Sequence, residues 1–105
     1  MLPVIFGLSG PRLTADEQSF FRDANPAGYI LFARNIEHPE QLRALTDALR
    51  DLAGRDDVPI LIDQEGGRIA RLGPPHWRLW PAAAALAEVS ESQTSAGLDH
   101  AIARV

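Results

Sequence analysis

Residues 28–33 read GYILFA and residues 58–63 read VPILID. Neither run alternates apolar with polar residues. An uninterrupted apolar run of this length fits a strand buried on both faces, as in a parallel sheet covered by helices. Residues 3–8, PVIFGL, form a third such run, closed by Ser9-Gly10-Pro11. Strands are therefore expected over 3–8, 28–33 and 58–63.

Between these runs the hydrophobic period changes. Thr14-Ala15-Asp16-Glu17 is a capping box: the Thr14 hydroxyl accepts from a first-turn amide while Glu17 reaches back to the Thr14 N–H. The helix it starts is expected to run to about Ala24, before Asn25-Pro26, with Phe20, Phe21 and Ala24 on its buried edge. A second helix starts near Pro39, where a missing N–H costs nothing. Leu42, Leu45, Leu49 and Leu52 then form one apolar stripe, opposite Glu40, Arg43, Asp47, Arg50 and Asp51, and Gly54 ends the helix.

The order is β-α-β-α-β. One crossover helix between consecutive strands makes neighbouring strands parallel. Gln64 to Pro81 reads as irregular and holds both tryptophans and His76. A short helix follows over Ala82–Val89, and another from about Thr94, with Leu98, Ala101, Ile102 and Val105 on one side. Three parallel strands leave two edges unpaired. Doubly wound sheets usually hold about five strands or more, and a (β/α)8 barrel takes roughly 250 residues. The 105 residues therefore read as the first part of something longer, without repeat, low-complexity segment or internal linker.

Composition narrows the class. Hydrophobic residues at 46% and charged residues at 23% are enough to form a core and exclude disorder as the default. The longest apolar stretches span about six residues, against the ~18 of a membrane span. No basic segment precedes the first apolar run, so no signal peptide is expected. The chain has no cysteine, which removes disulfides and thiolate chemistry. A net charge of −4 disfavours nucleic acid as a partner. No membrane partner is expected.

Ligands of parallel α/β folds bind at the carboxyl ends of the strands. Those ends lead into Ser9-Gly10-Pro11-Arg12, Arg34-Asn35-Ile36-Glu37-His38 and Asp63-Gln64-Glu65-Gly66-Gly67-Arg68-Ile69-Ala70-Arg71. Asp63 ends an apolar strand and is expected at the rim of the core, where a carboxylate needs a partner. Arg34, Arg68 and Arg71 are available. Asp63 could accept from ligand hydroxyls with Arg71 donating, or the two could form a structural pair; spacing alone does not choose. Asp63 and Glu65, two residues apart, could also face the same way if extended, near the ~5–5.5 Å separation of the carboxyls in retaining glycosidases. Equally, one could serve a ligand and the other an arginine.

Gly7-x-x-Gly10 lacks the features of nucleotide fingerprints, and a plain turn is the better reading. His38 precedes Pro39 and suits a helix cap. His76 and His100 have no metal-ligand spacing, and no metal or cofactor is expected. Trp77 and Trp80 flank a proline-rich loop and could stack on a sugar ring or pack within the fold.

Taken together, the blocks GYILFARN, PEQL with Leu45-Thr46 one turn on, and IDQEGGRIARL resemble the amino-terminal part of glycoside hydrolase family 3, in its bacterial β-N-acetylglucosaminidase (β-hexosaminidase) branch. The resemblance spans about residues 3–86; residues 87–105 do not share it. It implies a (β/α)8 barrel, of which this chain supplies about three units, as a partial family 3 domain over residues 1–105. The implied reaction is removal of a non-reducing terminal N-acetylglucosamine by a retaining double displacement. Its aspartate nucleophile and loop histidine lie later in such enzymes, so the resemblance places no catalytic residue in this chain. It implies substrate binding by Asp63 and Arg71 and a supporting role for Glu65, toward Arg34 or Arg68. It further implies a cytoplasmic setting in cell-wall recycling, muropeptide fragments as substrate, and a monomeric complete enzyme. A non-catalytic sugar-binding protein or a small α/β signalling module are the competing readings; the second lacks a phosphate loop or clustered acids after its first strand.

Overall fold

A computed structural model describes residues 1–92, in two compact units, residues 1–63 and residues from Gln64 onward. The helix expected from Thr94 lies outside the described residues.

The first unit contains β1 (Leu2–Phe6), α1 (Ala15–Ala24), β2 (Pro26–Leu31), a single 3-10 turn at Ala33–Asn35, α2 (Pro39–Ala53) and β3 (Ile60–Ile62). The strands form one parallel sheet in the order β1-β2-β3. All three expected strands exist, with shifted bounds. Asn25 caps α1 in the left-handed conformation, φ 47°, and so turns the chain straight into β2 at Pro26. Phe32 leaves the ladder because its N–H donates to the Asn35 side chain at 2.8 Å. β1 ends at Phe6, the last residue in register with β2.

Both helices form as their ends dictate. The Thr14 hydroxyl accepts from Glu17 N–H at 3.1 Å, and Glu17 Oε1 accepts from Thr14 N–H at 3.0 Å. At α2, His38 Nδ1 accepts from Gln41 N–H at 3.2 Å, so the imidazole is a helix cap. Gly54 closes α2 with φ 72°.

The core gathers Leu8, Phe21, Tyr29, Leu31, Leu45, Leu49 and Val58. Phe21 of α1 meets Tyr29 edge-on at 5.1 Å, and Leu45 and Leu49 of α2 join the same cluster. Both helices therefore cover one face of the sheet. The two connections step in the same direction across it, and right-handed crossovers then place both helices on the same side. The expectation of strands buried on both faces is corrected accordingly. Phe6, Tyr29 and Ile60 share a row on the helix face. Ile5, Ile30 and Leu61, one residue out of phase, point away, and Ile5 and Leu61 are 47% and 43% exposed. Phe20 is a second correction. Neighbouring helical positions diverge by about 100°, so Phe21 enters the core while Phe20 stays 54% exposed.

The second unit holds β4 (Gln64–Gly66), β5 (Ile69–Ala70) and α3 (Ala83–Ser92). β4 and β5 pair antiparallel, so the stretch read as irregular contains a hairpin. Gly66 and Gly67, at φ 86° and 57°, supply the turn. The helix expected over Ala82–Val89 starts one residue later and extends through Ser92. Among the described residues no helix is long and apolar enough to cross a membrane.

Candidate functional site

The segments that follow β1, β2 and β3 hold the polar groups of the first unit. The β1–α1 segment is held in place by side chains from the β2–α2 segment. Asn35 is fully buried. Its Oδ1 accepts from Phe32 N–H at 2.8 Å, and its Nδ2 donates to the carbonyls of Gly10 at 2.8 Å and Leu8 at 3.2 Å. Arg34 Nε donates to the same Leu8 carbonyl at 2.8 Å. Gln41, also buried, donates through Nε2 to Pro11 O at 2.7 Å and Asn35 O at 2.8 Å, while its Oε1 accepts from Glu37 N–H at 2.7 Å. An exposed Arg12–Glu37 ion pair at 3.0 Å spans the same two segments and contributes little by comparison.

These contacts settle two sequence readings. Ser9 N–H donates to Glu17 Oε2 at 2.9 Å, so a carboxylate already occupies the Gly7–Gly10 turn and repels a phosphate there. The Arg34 Nε is spent on a backbone carbonyl, and the guanidinium lies 4.8 Å from the Phe32 ring centroid. Asn35 and Gln41 escaped the sequence reading, although Gln41 carried a signal. It stands four residues before Leu45 and eight before Leu49, on the buried stripe, where a polar side chain must find partners.

The Glu17 carboxyl links the turn to α1. Partial desolvation raises its pKa, but hydrogen bonds from the Thr14 and Ser9 amides outweigh this and hold it below the ordinary 4.5. A carboxyl depressed in the folded state stabilises above its unfolded pKa, and that stability is lost as pH falls through the folded value. Unfolding midpoints of the parent are therefore expected to fall more steeply between about pH 5 and about pH 3 than those of Glu17→Gln. Parallel curves would remove the carboxylate from the turn.

Asp63 follows β3 directly. Leu31 is the register partner of Ile62, so Asp63 stands one step beyond the paired ladder, level with Phe32. It is exposed rather than at the rim of the core, and its placement requires no buried ion pair.

In the second unit, Gln64 organises the hairpin. Its Oε1 accepts from Arg71 N–H at 2.9 Å and Leu72 N–H at 3.1 Å, and its Nε2 donates to Leu72 O at 3.0 Å. The Arg71 backbone is fixed in this way, with its side chain half-buried. Glu65 on β4 and Arg68 in the turn are exposed. Gly67 N–H donates to Trp80 O at 2.7 Å. A Cβ at Gly66 would collide with the Pro81 carbonyl, and one at Gly67 would come within 2.9 Å of Ala82 Cβ. The double glycine thus answers a close backbone approach as well as positive φ. Trp80 carries the Arg78 guanidinium 4.3 Å from its ring centroid, and Trp77 meets His76 edge-on at 5.8 Å. Among the described residues no cluster of His, Cys, Asp or Glu could hold a metal ion.

An exposed aspartate at a parallel strand's carboxyl end, followed by a hairpin locked at Gln64 and Gly66-Gly67, is the DQEGGR block in three dimensions. The β-hexosaminidase of Alkalilimnicola ehrlichii is 46% identical over 87 residues, covering 83% of this chain and 24% of that protein. Over the matched residues the chain is similar to β-hexosaminidases. The β-hexosaminidase of Pseudomonas aeruginosa is 42% identical over 85 residues, 81% of this chain and 25% of its own length. Among solved structures, NagZ from Neisseria gonorrhoeae superposes with a TM-score of 0.79 at 33% identity, over 95% of this chain and 28% of that one. A family 3 β-N-acetylglucosaminidase from Paenibacillus gives 0.72 at 27% identity, over 81% and 16%. No protein-family model matches. The chain spans about a quarter of the length of the β-hexosaminidases it matches.

Proposed function

We propose that this chain forms the sugar-holding part of a retaining β-N-acetylglucosaminidase with a (β/α)8 barrel, residues 1–105 contributing the first three strands. The observation that carries the reading is the exposed Asp63 at the end of β3, within the span that aligns with a β-hexosaminidase. A NagZ from Neisseria gonorrhoeae, 34% identical over 91% of this chain, was solved with N-trifluoroacetyl-D-glucosamine, which supports an N-acetylglucosamine-containing substrate here. Helices on one sheet face only agree with a barrel, whose other face is its interior, better than with a doubly wound sheet. In this reading Asp63 accepts from two hydroxyls of the terminal sugar and Arg71 donates to the same residue, while Glu65 supports the arginines. Binding energy from hydroxyls remote from the reacting carbon orients and distorts the sugar. The nucleophile and the acid/base group come from later parts of the complete enzyme. We place that enzyme in the cytoplasm, acting as a monomer on muropeptide fragments during peptidoglycan recycling.

The purified 105-residue chain is accordingly expected not to hydrolyse a chromogenic N-acetylglucosaminide. Turnover by the chain alone, lost on Asp63→Ala, would instead make Asp63 and Glu65 the reacting pair.

A further inference from the structure

The hairpin of the second unit is short. β5 holds only Ile69 and Ala70, and the register pair at the open end of the ladder joins Gln64 to Ala70. A two-stranded ribbon of this size is marginal in water by itself. Arg71 stands one residue past that pair, where the ladder no longer sets its backbone. The Gln64 side chain continues the pairing there. Its Oε1 accepts from Arg71 N–H at 2.9 Å and from Leu72 N–H at 3.1 Å, while its Nε2 donates to Leu72 O at 3.0 Å. The carboxamide thus stands in for the backbone of a further strand residue, accepting and donating along one edge. At the turn, by contrast, the fastening is backbone to backbone, from Gly67 N–H to Trp80 O at 2.7 Å.

We propose that Gln64 is a positioning residue for Arg71, setting the backbone from which the guanidinium reaches the terminal sugar; this rests on the sugar contact proposed above for Arg71. Three features support the role. Arg71 N–H and Leu72 N–H belong to the two peptide groups that flank the Arg71 Cα, and each group is planar. One oxygen therefore fixes both planes, and with them the direction in which the Arg71 side chain leaves the backbone. Gln64 is exposed, where hydrogen bonds exchange with water at a small net gain, so three bonds converging on two residues serve orientation more than stability. The site also needs an acceptor and a donor in one side chain. A carboxamide offers both, whereas a carboxylate would turn a second oxygen toward Leu72 O. The leverage is large, because a misplacement of about 1 Å in a substrate-holding group can cost about a hundredfold in rate.

The test is a double-mutant cycle in a complete enzyme carrying this segment, read as kcat/KM on a chromogenic N-acetylglucosaminide and as amide-resolved hydrogen exchange. Gln64→Met keeps the length of the side chain and removes its three hydrogen bonds. Alone it is expected to lower kcat/KM about tenfold, and by less than about twofold in the Arg71→Ala background. A residue that merely holds the fold together would lower both by the same factor. The Arg71 and Leu72 amides should exchange about tenfold faster in Gln64→Met, while the Gly67 amide, fastened to Trp80, keeps its rate. Gln64→Asn retains the carboxamide but withdraws it by one methylene. It should lose about threefold in the same pattern, and it carries the cycle if the methionine variant does not fold. Equal losses in the two backgrounds overturn the positioning role, as do unchanged Arg71 and Leu72 exchange rates or full activity in both Gln64 variants. The Arg71→Ala variant by itself is the check on the proposed function. If its kcat/KM matches the parent, the sugar contact of Arg71 fails and the positioning role falls with it; if its kcat/KM drops while the cycle is additive, only the role of Gln64 is lost.

Discussion

Replacing Asp63 by alanine in a complete enzyme carrying this segment is expected to lower kcat/KM by about two to four powers of ten. The carboxylate is exposed at the carboxyl end of β3. Hydrogen bonds from hydroxyls to an ionised acceptor are worth ~1.5–3 kcal/mol each, so losing two costs roughly 3–6 kcal/mol of transition-state stabilisation. Arg71→Ala should cost less, holding the sugar from one side only, and Glu65→Ala should register mainly as lost stability. The measurement is kcat/KM for the three variants beside their melting temperatures. Near-normal activity in Asp63→Ala, with activity abolished in a folded Glu65→Ala, would reverse the two carboxylate assignments.

Asn35→Ala is expected to have the opposite signature, a large loss of stability from a residue that meets no substrate. The side chain is fully buried and makes three hydrogen bonds to backbone groups. Its removal leaves Phe32 N–H and Gly10 O without those partners, while Leu8 O keeps its bond from Arg34 Nε. Each orphaned group costs about 1–3 kcal/mol, so the two part-buried groups cost about 2–6 kcal/mol together. Asn35→Asp should be no better, because an acceptor-only carboxylate would face the two carbonyls that now receive Nδ2. Chemical denaturation of the parent and both variants in the same complete enzyme decides the matter. A shift below about 0.5 kcal/mol for either would show that water replaces the amide and that the two loops are not held through it.

Much of this molecule is legible from residue order. The β-α-β-α-β sequence, the Thr14–Glu17 capping box, His38 and Pro39 at the start of α2 and Gly54 at its end all follow from local rules, because period, cap and left-handed turn are decided within a few residues of chain. The GYILFARN, PEQL and IDQEGGRIARL blocks together carried the family resemblance. The tertiary structure alone decided which of two adjacent phenylalanines enters the core, that both helices share one sheet face and leave Ile5 and Leu61 bare, and that Gln64 folds its own segment into a hairpin. It also decided that Asn35 and Gln41 are buried. Each of these depends on which distant group arrives alongside: the carbonyls of Leu8, Gly10 and Pro11 lie 25 to 30 residues from the side chains that bind them. Hydrophobic periodicity records which face turns inward, but a buried polar residue is explained only by its partners, and those are brought within reach by the packing of β1 against β2.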